Sequence, residues 1–202
     1  MYALITDGSI SKFINHPKAM VIGNVQYPAK IFQLWSTSEL NAIGIYEVVF
    51  DDSNKKDEKW YINTNQSFAF ADDVVTASYG TATPKAHADT LFTAQDETDG
   101  LGTEGEVATR GLKYNLIQTL KSQVANELAR TDWYITRNAE KSTAIPSAIS
   151  THRDAVRTKQ ASMETAITNA SNTPALETLY TYTTDSDGIQ SRPLGELPVL
   201  ES

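Results

Sequence analysis

Side chains able to do chemistry, by ionising near neutrality, binding a metal or attacking as nucleophiles, are sparse and scattered in this chain. There is no cysteine, which excludes disulfides, zinc–thiolate centres and thiol nucleophiles. The three histidines, His16, His87 and His152, lie in separate segments, and none stands one helical turn from another as paired metal ligands do. Serine is plentiful, yet no Gly-x-Ser-x-Gly elbow exists and no histidine is placed as its base. Asp185-Ser186-Asp187-Gly188 opens like a calcium loop, with Glu196 at the twelfth position. Ile189 and Gln190, however, stand where a ligating oxygen and a sharp glycine turn are needed. Asp and Gly are ordinary turn formers, and a turn is expected there. Gly100, Gly102 and Gly105 follow no strand, and Glu104 and Glu106 beside them would repel a pyrophosphate. No catalytic residue, no cofactor and no metal is expected.

Residues suited to recognition are easier to find. Thr131-Asp132-Trp133-Tyr134-Ile135-Thr136-Arg137 is the most distinctive stretch. Neighbouring side chains on a helix point about 100° apart, so only one of the two aromatics can lie on a helix seam. The other covers a neighbouring surface or stays exposed. Glu127, four residues before Thr131, is placed to bond its hydroxyl. Tryptophan and arginine dominate binding hot spots, which makes Trp133, Tyr134, Arg137, Arg153 and Arg157 candidate interface residues; Trp133 reads first as a helix packing residue, with an interface anchor the alternative. Leu194 and Leu197 join them, because Pro193 and Pro198 bracket an extended apolar strip that suits a groove. A frayed terminus is the alternative for that strip. His152 falls on an inner helix stripe and reads as a hydrogen-bonded packing residue.

Composition bounds the partners. Hydrophobic residues make up 40% and charged ones 21% of the 202, as in a folded chain. The formal net charge of -8 disfavours a polyphosphate partner, so no nucleic acid is expected. No apolar run reaches about 18 residues, so no membrane span is expected. The first residues carry no basic region followed by an apolar stretch, and a secretory signal is not expected.

The elements that position these residues give an α+β chain with a small β-rich head over residues 1–79, a linker or arm over 80–106, a helical hairpin over 107–173 and an extended tail over 174–202. Asp7-Gly8 between apolar runs predicts a hairpin. Ser36 and Glu39 form a capping box, Gly44 ends that helix, and Ile45 to Phe50 follows as a strand. Trp60–Asn63, Ser67–Phe70 and Val74–Ala77 complete a small mixed sheet, marginal on its own at this size. Glycines and acids without apolar pattern mark the arm. Ile117, Leu120, Val124, Leu128, Thr131 and Ile135 form one stripe of a long helix. Pro146 begins a second, on which Ile149, Val156, Met163 and Ala170 repeat every seven residues, and Asn172-Thr173-Pro174 ends it. Two such helices joined by a short turn pair antiparallel.

The segment from Leu116 to Ala170 resembles a helical-hairpin module of small tail proteins from tailed bacteriophages. Leu128 to Arg137, Glu140, Ile145-Pro146 and Arg153-Asp154-Ala155-Val156-Arg157 carry the likeness. The opening Met1–Phe13 hairpin and the Ser36–Gly44 helix are similar to such proteins as well. The resemblance implies a non-enzymatic tail-fibre or baseplate protein in the virion tail, synthesised and assembled in the bacterial cytoplasm. Its implied partners are fibre or baseplate subunits in a homo- or hetero-oligomer. A tail-fibre assembly chaperone that leaves the particle is the alternative. A glycan binder or hydrolase, using Trp35, Trp60 and Tyr61 as stacking platforms, is a third reading.

Overall fold

In the computed structural model, residues 1–200 are described, and the chain is α+β, dividing into two compact units, Met1–Thr83 and Pro84–Ser202. The division falls four residues beyond the expected end of the head at residue 79.

The first unit is built on a five-stranded mixed sheet in the order β2-β1-β5-β8-β7. β1 (Tyr2–Thr6) and β2 (Ser9–Ile14) form the expected hairpin, with Asp7 and Gly8 at φ of 52° and 73°. Positive φ at both central residues is what a turn matching the strand twist requires. β1 also pairs antiparallel with β5 (Ile45–Asp51), which pairs parallel with β8 (Val74–Ser78), and β7 (Ser67–Ala71) closes the order. The outermost strands approach each other, and the rings of Phe13 and Phe68 lie 4.5 Å apart, so the sheet curls.

Alternation along β1 sends Tyr2 and Leu4 to one face and Ala3 and Ile5 to the other. The inner face packs Ala3 with Val48, Val75 and Ala77. On the outer face, Ile14 and Ile45 pack with Met20 of β3 (Met20–Ile22), Ile31 of α1 (Ile31–Leu34) and Leu40 of α2 (Thr37–Ala42). β4 (Val25–Tyr27) pairs with β3, while β6 (Tyr61–Ile62) and β9 (Thr83–Pro84) are two-residue strands. The capping box is present: the Ser36 amide donates to Glu39 Oε2 at 2.8 Å and the Glu39 amide to Ser36 Oγ at 3.3 Å. Gly44 sits at φ 83°, and a Cβ there would lie 2.7 Å from the Ile5 carbonyl oxygen, so both conformation and contact demand glycine.

The second unit corrects three expectations. Residues 80–106 are not a bare arm. β10 (Thr90–Leu91) pairs with β11 (Val107–Thr109), and α3 (Ala94–Thr98) carries its own capping box from Thr93 and Asp96. Two glycines serve close approach: a Cβ on Gly102 would strike the Phe92 ring, and one on Gly111 the Ala88 carbonyl. Asp89 accepts from the Gly111 amide at 2.8 Å and from Arg110 at 2.6 Å, so the acids cap and pair rather than merely solvate.

The long first helix is broken in two. α4 (Leu112–Ala129) stops and α5 (Asp132–Lys141) begins at Thr131, which lies at φ -120° with its hydroxyl donating to the Leu128 carbonyl. The expected stripe buries Leu120, Val124 and Thr131, but Ile135, beyond the break, is exposed. α6 (Ser147–Asn169) starts after Pro146 as expected, and Ile149, Val156, Met163 and Ala170 are all buried. Contacts pairing Glu127 with His152 and Lys113 with Thr168 show that α4 and α6 run antiparallel.

Asn172-Thr173-Pro174 starts a helix rather than ending the preceding one. Asn172 caps α7 (Thr173–Tyr180) by accepting from the Ala175 amide at 2.9 Å, with Pro174 in the first turn, where its missing N–H costs nothing. The tail then folds back through β12 (Thr183–Thr184) and β13 (Gln190–Ser191).

Candidate protein-interaction site

The residues singled out for recognition meet where α4 gives way to α5. Arg153 of α6 reaches into that joint and is 7% exposed. Its Nη1 donates to the Leu128 carbonyl at 2.8 Å and to the Thr131 hydroxyl at 2.7 Å, and it lies 2.9 Å from Asp132 Oδ1 as an ion pair. One guanidinium thus holds the last turn of α4, the residue that breaks it and the first residue of α5. The planar fork suits this, whereas an ammonium would offer a point charge. Arg153 Nε is buried without a partner, a cost that the other bonds offset. Arg153 is therefore a bracket inside the fold rather than the surface contact expected of it.

Beside it, His152 Nε2 lies 3.0 Å from Glu127 Oε1, and Arg130 reaches the same carboxylate at 3.0 Å. Glu127 consequently bonds His152 and Arg130, not the Thr131 hydroxyl. Burial pushes the Glu127 carboxyl up, but Arg130 and His152 together outweigh it and hold the group below the usual glutamate range. His152 is the hydrogen-bonded packing residue its position in the stripe implied.

The bracket carries an unusual helix. α5 has ten residues and buries none of them. Trp133 is 50% exposed and Ile135 41% exposed. Although their Cβ atoms diverge, the rings of Trp133 and Tyr134 fold together, with centroids 3.7 Å apart and planes tilted by 32°. The Arg137 guanidinium lies 5.1 Å from the Trp133 ring centre. Indole, phenol and guanidinium form one amphipathic ladder of the composition found at interface hot spots. Ser142, left-handed at φ 53°, ends the helix, and Asn138 ties the following loop by donating to the Thr143 carbonyl at 2.8 Å.

The remaining expected residues separate. Arg157 is exposed and pairs with Asp154 at 3.3 Å, one turn away on the same helix, a surface pair of little energetic weight. Leu194 is 3% exposed, and its amide donates to the Leu179 carbonyl, so it is core and not free for a partner. Leu197 is half-buried. Arg192 clamps this tail: it bonds Glu196 at 2.7 Å and lies over the rings of Tyr180 and Tyr182. Tyr182 donates to Glu196, which raises the phenol above its ordinary value, and burial raises Tyr180.

A groove of about 440 Å³ lies along the start of α6, lined by Ser147, Ala148, Thr151, His152 and Ala155 with Val199 and Leu200 of the tail. No local pattern marks it, since it joins residues some fifty positions apart that are individually ordinary. In the first unit, Trp60 and Tyr61 are buried at 4% and 3% exposure and Trp35 packs against Tyr27, which leaves none of them as an open platform for a sugar ring. Asp185 accepts from the amides of Asp187 and Ile189, the arrangement of a hairpin turn. Among the described residues no group of three or more His, Cys, Asp or Glu is placed to hold a metal ion, and no helix is long and apolar enough to cross a membrane. No family model matches the chain, nor does any curated protein or solved structure.

Proposed function

We propose that the chain is a structural component of a bacteriophage tail, an adaptor joining a fibre or baseplate subunit through protein–protein contacts. The observation that carries the reading is the joint around Arg153. Of the residues through which the sequence resembles the phage hairpin module, Arg153 donates to the Thr131 hydroxyl and pairs with the Asp132 carboxylate, which ties the start of α5 to α6. They position Trp133, Tyr134 and Arg137 as a ladder that half remains open to a neighbour. A motif whose side chains build a rigid platform rather than a cleft of converging acids or nucleophiles suits assembly better than turnover. Quantitative mass spectrometry of purified mature particles tests the proposal. A fixed small ratio to the major tail subunit supports it. Recovery only from infected-cell lysate, bound to fibre protein, would make the chain an assembly chaperone instead.

A further inference from the structure

The apolar stripe of α4 runs unbroken into α5. Leu120, Val124, Leu128, Thr131 and Ile135 follow one another at steps of three and four residues, as they would on a single helix. The chain nonetheless bends, and the bend is confined to one residue. Arg130 keeps right-handed helical angles, φ -58° and ψ -23°, while Thr131 stands at φ -120° and ψ 5°. Asp132 to Lys141 is helical again. Rotating Thr131 by roughly 60° in φ and 45° in ψ would make the helix continuous.

In an unbroken helix the Leu128 carbonyl would accept from the Asp132 amide. Here it accepts from the Thr131 amide and hydroxyl, both at 3.0 Å, and from Arg153 at 2.8 Å. Arg153 also donates to the Thr131 hydroxyl and pairs with Asp132, so its contacts belong to the bent form. The bend has costs: Arg153 Nε is buried without a partner, and Ile135 is 41% exposed. Local pattern favours one shape and a tertiary contact set the other, the arrangement expected of a bistable element. The straight form also closes. Glu127 lies level with His152 across the α4–α6 pair, which puts Ser147 level with Asp132. A straight helix would carry Lys141 about 14 Å past that level, and with helix axes roughly 9 Å apart the gap to Ser147 is about 16 Å. Residues 142–146 can span about 20 Å.

We propose that the α4–α5 joint is a two-state latch. Arg153 holds it bent, and release lets α4 and α5 join as one helix over 112–141. That change swings the Trp133–Tyr134–Arg137 ladder as a unit and returns Ile135 to the stripe. The Asp132 end of the latch is 59% exposed, so a partner reaches it without entering the core. A partner that grips the ladder more tightly in one form than in the other shifts the equilibrium by that difference. The latch is a property of the single chain and does not rest on the tail reading.

The chain has no native cysteine, so spin labels can be attached to Gln118→Cys and Glu140→Cys, both at exposed positions, in the full-length protein. A straight helix sets these two Cα atoms about 33 Å apart, and the bent form holds them closer. Pulsed electron paramagnetic resonance should show mainly the shorter distance in the parent. Thr131→Ala, which removes the hydroxyl and favours helix, should raise the longer component at least several-fold. Thr131→Gly loses the same hydroxyl but disfavours helix, and should show about four- to fivefold less of that component than Thr131→Ala. Asp132→Asn, an exposed change, should also raise it above the parent, and serves if circular dichroism shows Thr131→Ala unfolded. A longer component absent from both Thr131→Ala and Asp132→Asn would overturn the latch. So would equal amounts in Thr131→Ala and Thr131→Gly, the sign of an α5 that comes loose without joining α4.

Discussion

Replacing Arg153 by methionine should detach α5 while leaving the α4–α6 pair folded. Methionine keeps the apolar stem but removes two donated bonds, to Leu128 and Thr131, and the ion pair with Asp132. A bond from a charged donor contributes about 1.5–3 kcal/mol when buried, and the Asp132 pair, at a carboxylate 59% exposed, less than about 1 kcal/mol. Two offsets apply. The Thr131 hydroxyl still satisfies the Leu128 carbonyl, and the unpartnered Nε disappears. The net loss should be about 2–3 kcal/mol. Thr131→Val removes one of the same bonds, so the double variant should fall short of the sum of the singles by about 1 kcal/mol or more, as shared contacts do. Urea unfolding followed by circular dichroism gives the energies, and hydrogen–deuterium exchange locates them. The amides of α5 should lose protection in Arg153→Met, with α6 protected as before. A loss below about 0.5 kcal/mol, the size of an ordinary surface substitution, with α5 still protected would refute the role given to Arg153.

Other consequences follow from particular contacts. Gly44→Ala should destabilise the first unit by about 2–4 kcal/mol in urea titrations, since it combines positive φ with a Cβ 2.7 Å from a carbonyl oxygen. Glu127 has its carboxyl held below the ordinary value near 4.5, so its stabilisation is fully present above that pH and is lost as pH falls through the lowered value. Glu127→Gln should accordingly be less stable than the parent at pH 7, with the difference shrinking towards pH 3 in the same titration. Arg192→Met should free the tail clamp, and limited proteolysis should then cut after the β12–β13 hairpin, where the parent resists. Calcium added to the apo protein should leave its melting temperature unchanged, because Asp185 is engaged with the turn amides.

The head was legible in the sequence because its signals are local. Asp7-Gly8, the Ser36–Glu39 box and Gly44 each specify geometry within a few residues, and each has the expected form. The heptad of α6 was readable for the same reason. The segment over 80–106 was misread because composition cannot distinguish a glycine needed for flexibility from one, like Gly102 or Gly111, needed for close contact. Nor can it tell a solvated acid from Asp89 or Asp96 satisfying backbone amides. The break at Thr131 was hidden because the apolar period runs straight through it, and the residue that stabilises the break, Arg153, lies 22 positions onward. Asn172-Thr173-Pro174 is ambiguous in principle, since the same residues that stop one helix can cap the next. Within the candidate site, Trp133, Tyr134 and Arg137 stack together although neighbouring helix positions diverge, and burial gives Arg153 and Leu194 interior roles in place of the surface ones expected.

The assignment to a phage tail is tested most directly by measuring the chain's copy number in purified mature particles against the major tail subunit. A tail component should be present at a constant, small, symmetry-compatible ratio across preparations. Complete absence from particles, with the chain recovered only on unassembled fibre protein, would contradict it.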